Sequence, residues 1–160
     1  MHYEELRRLV IAGVAESARE VAASLGDETL AGYALCVDDD LRSLFPMAVS
    51  AGALSMADNA LRFVPVDWDC EAGGDAFDRA NAALEELADA ASDYAAHKRL
   101  AFTALVDALG DARKRGIFAP GVTLLVTSVD PGETTLHLAE EAALELNDAE
   151  TQRAFRDQMR

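Results

Sequence analysis

Three consecutive carboxylates, Asp38, Asp39 and Asp40, are the densest group of chemistry-bearing residues in the chain. Adjacent acids can chelate a hard cation through oxygen. A metal centre needs more ligands than one short run supplies, and no second acidic or histidine cluster has ligand spacing. An acidic turn that ends a strand and hydrogen-bonds its own backbone accounts for the run more simply. Asp67, Trp68, Asp69, Cys70 and Glu71 are the second candidate. An aromatic flanked by acids can anchor in a partner's pocket while the carboxylates pair with Arg or Lys. The competing reading makes Trp68, the only tryptophan, a half-buried core residue.

The histidines offer little as catalysts. His2 stands near the start of the chain, His97 falls in a charged helical segment, and His137 precedes Glu141 by four residues. That spacing puts His137 and Glu141 on one helix face, as an acid–base pair or half a metal site; without further ligands a surface salt bridge is the better reading. The sequence has no GxSxG elbow, and Gly73-Gly74 precedes an acidic helix start that would repel phosphate. We assign no catalytic residue, metal or cofactor. The partner-binding candidates are Asp38, Asp39, Asp40, Asp67, Trp68, Asp69 and Glu71.

Charge sharpens that choice. The net charge is −15, and residues 27–93 hold 15 Asp or Glu against Arg42, Arg62 and Arg79 alone. Such a block repels nucleic acid and anionic membrane and attracts basic protein surfaces. The basic run Arg113-Lys114-Arg115 complements a helix C-terminus and is too short, and too near acids, to bind nucleic acid. Cys36 and Cys70 form no CxxC or Cys/His cluster, as expected of reduced thiols. No run approaches the ~20 apolar residues of a membrane span, and the N-terminus lacks a basic, then apolar, leader. The expectation is a cytoplasmic protein.

The elements that must position these residues follow from periodicity. With 160 residues and 51% hydrophobic content, one domain spanning 1–160 is expected. Leu6, Leu9, Val10, Val14, Ala18, Val21 and Leu25 predict a helix over 3–25, stopped by Gly26. Residues 30–37 predict a buried strand, and Leu44 to Val49 a second one in hairpin with it, with Pro46 favouring an edge or a bulge. Ala51 to Leu61 has weak helical periodicity, and Arg62 to Asp69 suggests an edge strand or extended loop.

Phe77, Ala80, Leu84, Leu87, Ala88 and Ala91 stripe another helix; Phe102, Leu105, Val106 and Leu109 stripe the next, over 94–115. Val122 to Val129 predicts a strong strand, central in the sheet. Thr134 to Leu146 predicts a helix with Leu136, Ala139, Ala143 and Leu146 inward, and a last short helix docks through Phe155 and Met159. There is no internal repeat. The pattern predicts an α+β fold: a small, mainly antiparallel sheet of about three to five strands, packed with helices.

The amphipathic first helix, Gly32-Tyr33-Ala34-Leu35-Cys36-Val37-Asp38-Asp39-Asp40, Val66-Asp67-Trp68-Asp69, Gly116-Ile117-Phe118, and Val122 to Ser128 leading to Leu146-Asn147 carry a resemblance. Together they resemble the bacterial family of domain of unknown function 4303. The resemblance brings no enzymatic residues. It implies a binding role like that of immunity or antitoxin partners of delivered toxins. The expectation is therefore a non-enzymatic, cytoplasmic immunity protein that neutralises a basic toxin through its acidic surface. The alternatives are a metal-dependent enzyme using Asp38 and Asp40, with His137, and an acidic housekeeping domain whose carboxylates are scattered.

Overall fold

The structure is a computed structural model that describes residues 2–57, 59–71 and 73–159, apart from the side chain of Asn59. In chain order the elements are α1 (Tyr3–Leu25), β1 (Leu30–Val37), β2 (Leu44–Ser50), α2 (Ala51–Ser55) and the 3-10 turns Asn59–Phe63, Pro65–Asp67 and Gly74–Phe77. There follow α3 (Asp78–Ala90), α4 (Tyr94–Lys114), β3 (Thr123–Ser128), α5 (Glu133–Leu146) and α6 (Ala149–Gln158). The fold is α+β.

The sheet order is β2-β1-β3. β1 and β2 form the expected antiparallel hairpin, with Val37 opposite Leu44 and Tyr33 opposite Ala48. β3 joins β1 in parallel, Leu35 opposite Val126, so the sheet is mixed. The expectation of a central β3 is corrected: β1 is central and β3 lies at the edge. The reason is connectivity. β3 follows two helices, and a strand reached by a helical crossover can return parallel. β1 is buried on both faces from Gly32 to Val37 and is hydrogen-bonded along both of its edges.

Alternation along β1 divides the core. Tyr33, Leu35 and Val37 point with Leu44, Ala48, Leu124 and Val126 toward α1, α3 and α4. Ala34 and Cys36 point with Met47, Val49 and Leu125 toward Trp68, Ala143 and the partly buried Leu61, Phe63 and Phe155. The first layer is thick: Leu6, Val10 and Val14 of α1, Leu84 of α3, and Phe102, Leu105 and Leu109 of α4 are all buried there. Each such side chain contributes about 1.5–3 kcal/mol on burial. The second layer is made of short pieces.

Two further expectations are corrected on that second layer. Residues 62–69 do not extend as an edge strand; they coil into 3-10 turns, with Pro65 starting one of them. Trp68 donates its indole N–H to the Leu61 carbonyl at 2.8 Å, closing the coil, and only Cys70 bridges to Ala48. Leu136 does not face inward but is 46% exposed. α5 reaches the core through Thr135, the partly buried Leu138 and Ala139, and Ala142, Ala143 and Leu146, and leaves Leu136 outside that stripe.

The outer edge of β2 is sealed, and that of β3 is capped at Leu124. On β2, the Leu44 N–H donates to Asn81 Oδ1 (2.7 Å) and Asn81 Nδ2 donates to the Leu44 carbonyl (3.1 Å). Pro46 has no N–H, and Ala48 exchanges two hydrogen bonds with Cys70. On β3, Leu124 N–H donates to Asn147 Oδ1 and Asn147 Nδ2 donates back to the Leu124 carbonyl, both at 2.8 Å. Edge strands otherwise present a row of unpaired backbone groups that recruits another chain.

Candidate binding surface

The acidic turn between β1 and β2 spends most of its carboxylates on the fold. Asp38 Oδ1 accepts from the backbone N–H of Arg42 and of Ser43, both at 2.8 Å, and so closes the hairpin on itself. Asp39 reaches across to α5, which has no capping side chain of its own. It accepts from the Gly132 N–H (2.9 Å), from the Thr135 hydroxyl and from Lys98 Nζ (3.4 Å). The Thr135 hydroxyl first, then the Gly132 N–H and Lys98, hold the Asp39 carboxyl below its ordinary value. The helix N-terminus, where an anionic ligand would find free N–H groups, is thus occupied by a carboxylate of the same chain. Asp40 remains exposed, with Lys98 at 3.8 Å.

α4 bolts this turn in place. Tyr94 donates its hydroxyl to the Asp40 carbonyl, and His97 Nε2 lies 3.1 Å from the Leu41 carbonyl. Because a carbonyl only accepts, Nε2 carries a proton, and Nδ1 shares a hydrogen bond with the Tyr3 hydroxyl at 2.9 Å. Leu41 is fully buried in the left-handed region at φ 53°, a conformation that costs a non-glycine residue about 1–3 kcal/mol. Its side chain and these hydrogen bonds outweigh that strain. Sequence reasoning placed His97 on a charged segment; the histidine is in fact buried, and nothing in the local pattern signals the turn it supports.

Segment 67–89 carries most of the exposed carboxylates of this side, two of which, Glu85 and Asp89, pair with Arg42. Cys70 pairs with Ala48 near one end of β2, and Asn81 pairs with Leu44 at the other, so the segment runs down the outer edge of β2. Asp67, Asp69, Glu71, Asp75, Asp78, Glu85, Glu86 and Asp89 all lie on it, all exposed, against the single cation Arg79. The packing of this segment on α1 is close. A Cβ on Gly13 would sit 2.7 Å from the Phe77 ring, and Gly73, at φ 89°, lies against Ser17 with no room for a side chain. That brings the exposed Glu16 and Glu20 of α1 next to the acidic stretch. At the far end Arg42 donates to Glu85 (3.0 Å) and Asp89 (2.8 Å), joining the hairpin turn to α3.

The candidate residues are therefore not one cluster. Tyr33, in register with Ala48 and hence Cys70, is five residues from Asp38, about 17 Å along a strand. Asp67, Asp69 and Glu71 lie at one end of the flank and Asp40 at the other, with α3 between them. Trp68 is 4% exposed, so of the two readings of the tryptophan the geometry matches the core one. Its ring packs on Gly32, where a Cβ would meet it at 2.7 Å. His137 Nε2 lies 3.0 Å from the Glu141 carboxylate, and both side chains are exposed. Among the described residues, no group of three or more His, Cys, Asp or Glu is placed to hold a metal ion. No described helix is long and apolar enough to cross a membrane.

The three-stranded mixed sheet under a helical layer, with an acidic flank along its sealed edge, defines a small α+β domain. The family model for domain of unknown function DUF4303 matches residues 12–148, and the chain belongs to that family. No curated protein and no solved structure matches the chain.

Proposed function

We propose that this chain is a non-enzymatic binding protein that docks a cationic protein against the carboxylate flank of residues 67–89. The supporting observation is the course of that segment along the outer edge of β2, which puts eight exposed carboxylates on one flank against Arg79 and Arg42, the latter paired with Glu85 and Asp89. Complementary potential of this kind raises association rates and fixes orientation. Asp40, Asp67, Asp69 and Glu71 are the contact residues of this reading, joined by Asp75 and Asp78. Asp38 and Asp39 serve it indirectly, by holding the turn. In its most specific form the chain is a cytoplasmic immunity protein of a bacterium whose acidic flank covers the cationic cleft of a toxin.

Coexpression with each protein encoded by the genes that neighbour this one, scored for toxicity and for rescue, tests the reading. The expected result is restored growth, and a complex that weakens steeply as salt rises from about 0.05 to about 0.5 M. Asp67→Lys, Asp69→Lys and Glu71→Lys together should abolish protection, while Asp107→Lys on α4 should not. Protection that ignores both salt and charge reversal would sink the proposal.

A further inference from the structure

The coil over residues 61–68 turns its larger side chains inward and its two valines outward. Leu61, Phe63 and Trp68 pack on the sheet and Pro65 is buried, whereas Val64 is 36% and Val66 47% exposed. That exposure belongs to a closed frame. The Val64 N–H donates to the Leu61 carbonyl, Asp67 to Val64 and Trp68 to Pro65, at 3.1, 3.0 and 3.0 Å. The Trp68 indole ties the coil to Leu61 as well, and Cys70 ties its end to Ala48. Side chains held outward by such a frame meet a partner with little ordering left to do.

The charge around the two valines has one sign. Residues 63–78 hold Asp67, Asp69, Glu71, Asp75 and Asp78, all exposed, and neither Lys nor Arg. The Pro65–Asp67 turn packs chiefly on β1, β2 and the Asn59–Phe63 turn, and Arg62 is the one Lys or Arg those three elements carry. Its guanidinium lies over the Phe63 ring, 5.4 Å from the centroid, and donates to the Thr123 and Thr151 hydroxyls, so it is committed to the joint with β3 and α6. A second copy of the chain fits poorly here. A two-fold contact at Val66 would set Asp67 and Asp69 of two molecules, each at −15, against one another. An anionic membrane is repelled for the same reason.

We infer that Val64 and Val66 are the apolar anchor of the acidic flank, covered in the complex by an apolar patch of the partner that lysine or arginine borders. The anchoring role that residue types suggest for Trp68 falls to the valines before it, because the indole is committed to the sheet. Asp67 and Asp69 then meet the bordering cations. An interface of this build has an apolar centre and a polar rim. The inference rests on the basic-partner reading above and adds the contact that charge alone does not supply.

The test uses two helical peptides of equal charge, one of leucine and lysine with its leucines on one face, the other of alanine and lysine, titrated into methyl-labelled protein. The expected result is saturable shifts of the Val64 and Val66 methyl signals, with the leucine peptide binding about tenfold tighter than the alanine peptide. The double variant Val64→Ser, Val66→Ser should remove that advantage, and Leu100→Ser should keep it. All three side chains are exposed, and thermal melts check that the variants fold. Equal binding of the two peptides, or an advantage that survives the double variant, overturns the anchor and leaves the acidic flank intact. Shifts at Leu136 in place of Val64 and Val66 overturn it in favour of another surface. Binding of neither peptide overturns the inference and counts against the basic-partner reading too.

Discussion

Asn147 pairs with Leu124 as a strand would, accepting its N–H and donating to its carbonyl, and its second amide proton goes to the Ala143 carbonyl at the end of α5. One side chain thereby caps the edge of β3 at Leu124 and satisfies the last turn of a helix. Replacing it with leucine, similar in volume, leaves three buried backbone groups without partners. At about 1–3 kcal/mol for each such group, Asn147→Leu should lose about 3 kcal/mol or more in urea unfolding. Asn81→Leu, at a part-buried site that water can reach, should lose only about 1–2 kcal/mol. Equal, small losses would show that these pairs do not cap the edges.

Acid should weaken the link between the hairpin turn and α5. Asp39 is held below its ordinary value of 3.8, so between the folded and unfolded values the unfolded chain binds more protons. Its contribution is present above pH 3.8 and is lost as pH falls through the lower folded value. Asp111, held down by Arg7, and Asp148, held down by the Thr151 backbone N–H, act in the same direction. Urea midpoints measured from about pH 6 to about pH 2 should therefore fall, and the fall should be smaller in Asp39→Asn. An identical slope in the variant would remove Asp39 from this role.

Gly32 should tolerate no side chain. A Cβ there would lie 2.7 Å from Trp68 and 3.0 Å from Val49, and the indole is confined by its hydrogen bond to Leu61. Gly32→Ala should cost about 1–3 kcal/mol, the range for overpacking, and shift the fluorescence of the single tryptophan to the red. Unshifted emission would mean that the ring is not held there.

The two thiols should differ in reactivity. Cys36 is fully buried on β1, and burial pushes its thiol up to about 12; Cys70 lies at the surface of the core. In the folded protein an aromatic disulfide reagent should modify Cys70 first, and Cys36 only at the rate of global opening. Fast modification of Cys36 in a Cys70→Ser variant would contradict the structure.

The elements legible in the sequence are those whose burial is periodic. The α1 stripe through Leu6, Val10, Val14 and Val21, the α4 stripe through Phe102, Leu105 and Leu109, and the β1–β2 hairpin with Pro46 at an outer edge all stand as their spacing predicts. Residues 62–69 misled because their β-rich composition is served equally by a coil that packs Leu61, Phe63 and Trp68 on the sheet. Leu136 misled because helical spacing allows a stripe through Leu136 as well as one through Thr135 and Leu138, and only packing chooses between them.

What the sequence determined by itself is local: helix stripes, the hairpin, the acidic block of residues 27–93 and the absence of ligand spacing. Each depends on residues a few positions apart, where backbone geometry and charge count suffice. What only the tertiary structure decided is every relation between distant positions. Asp39 meets Gly132 and Thr135, His97 meets Leu41, Asn81 meets Leu44 and Asn147 meets Leu124. A hydrogen-bond partner far along the chain is chosen by which elements pack together, and the sorting of the carboxylates into those that hold the fold and those that face outward was settled only by that packing.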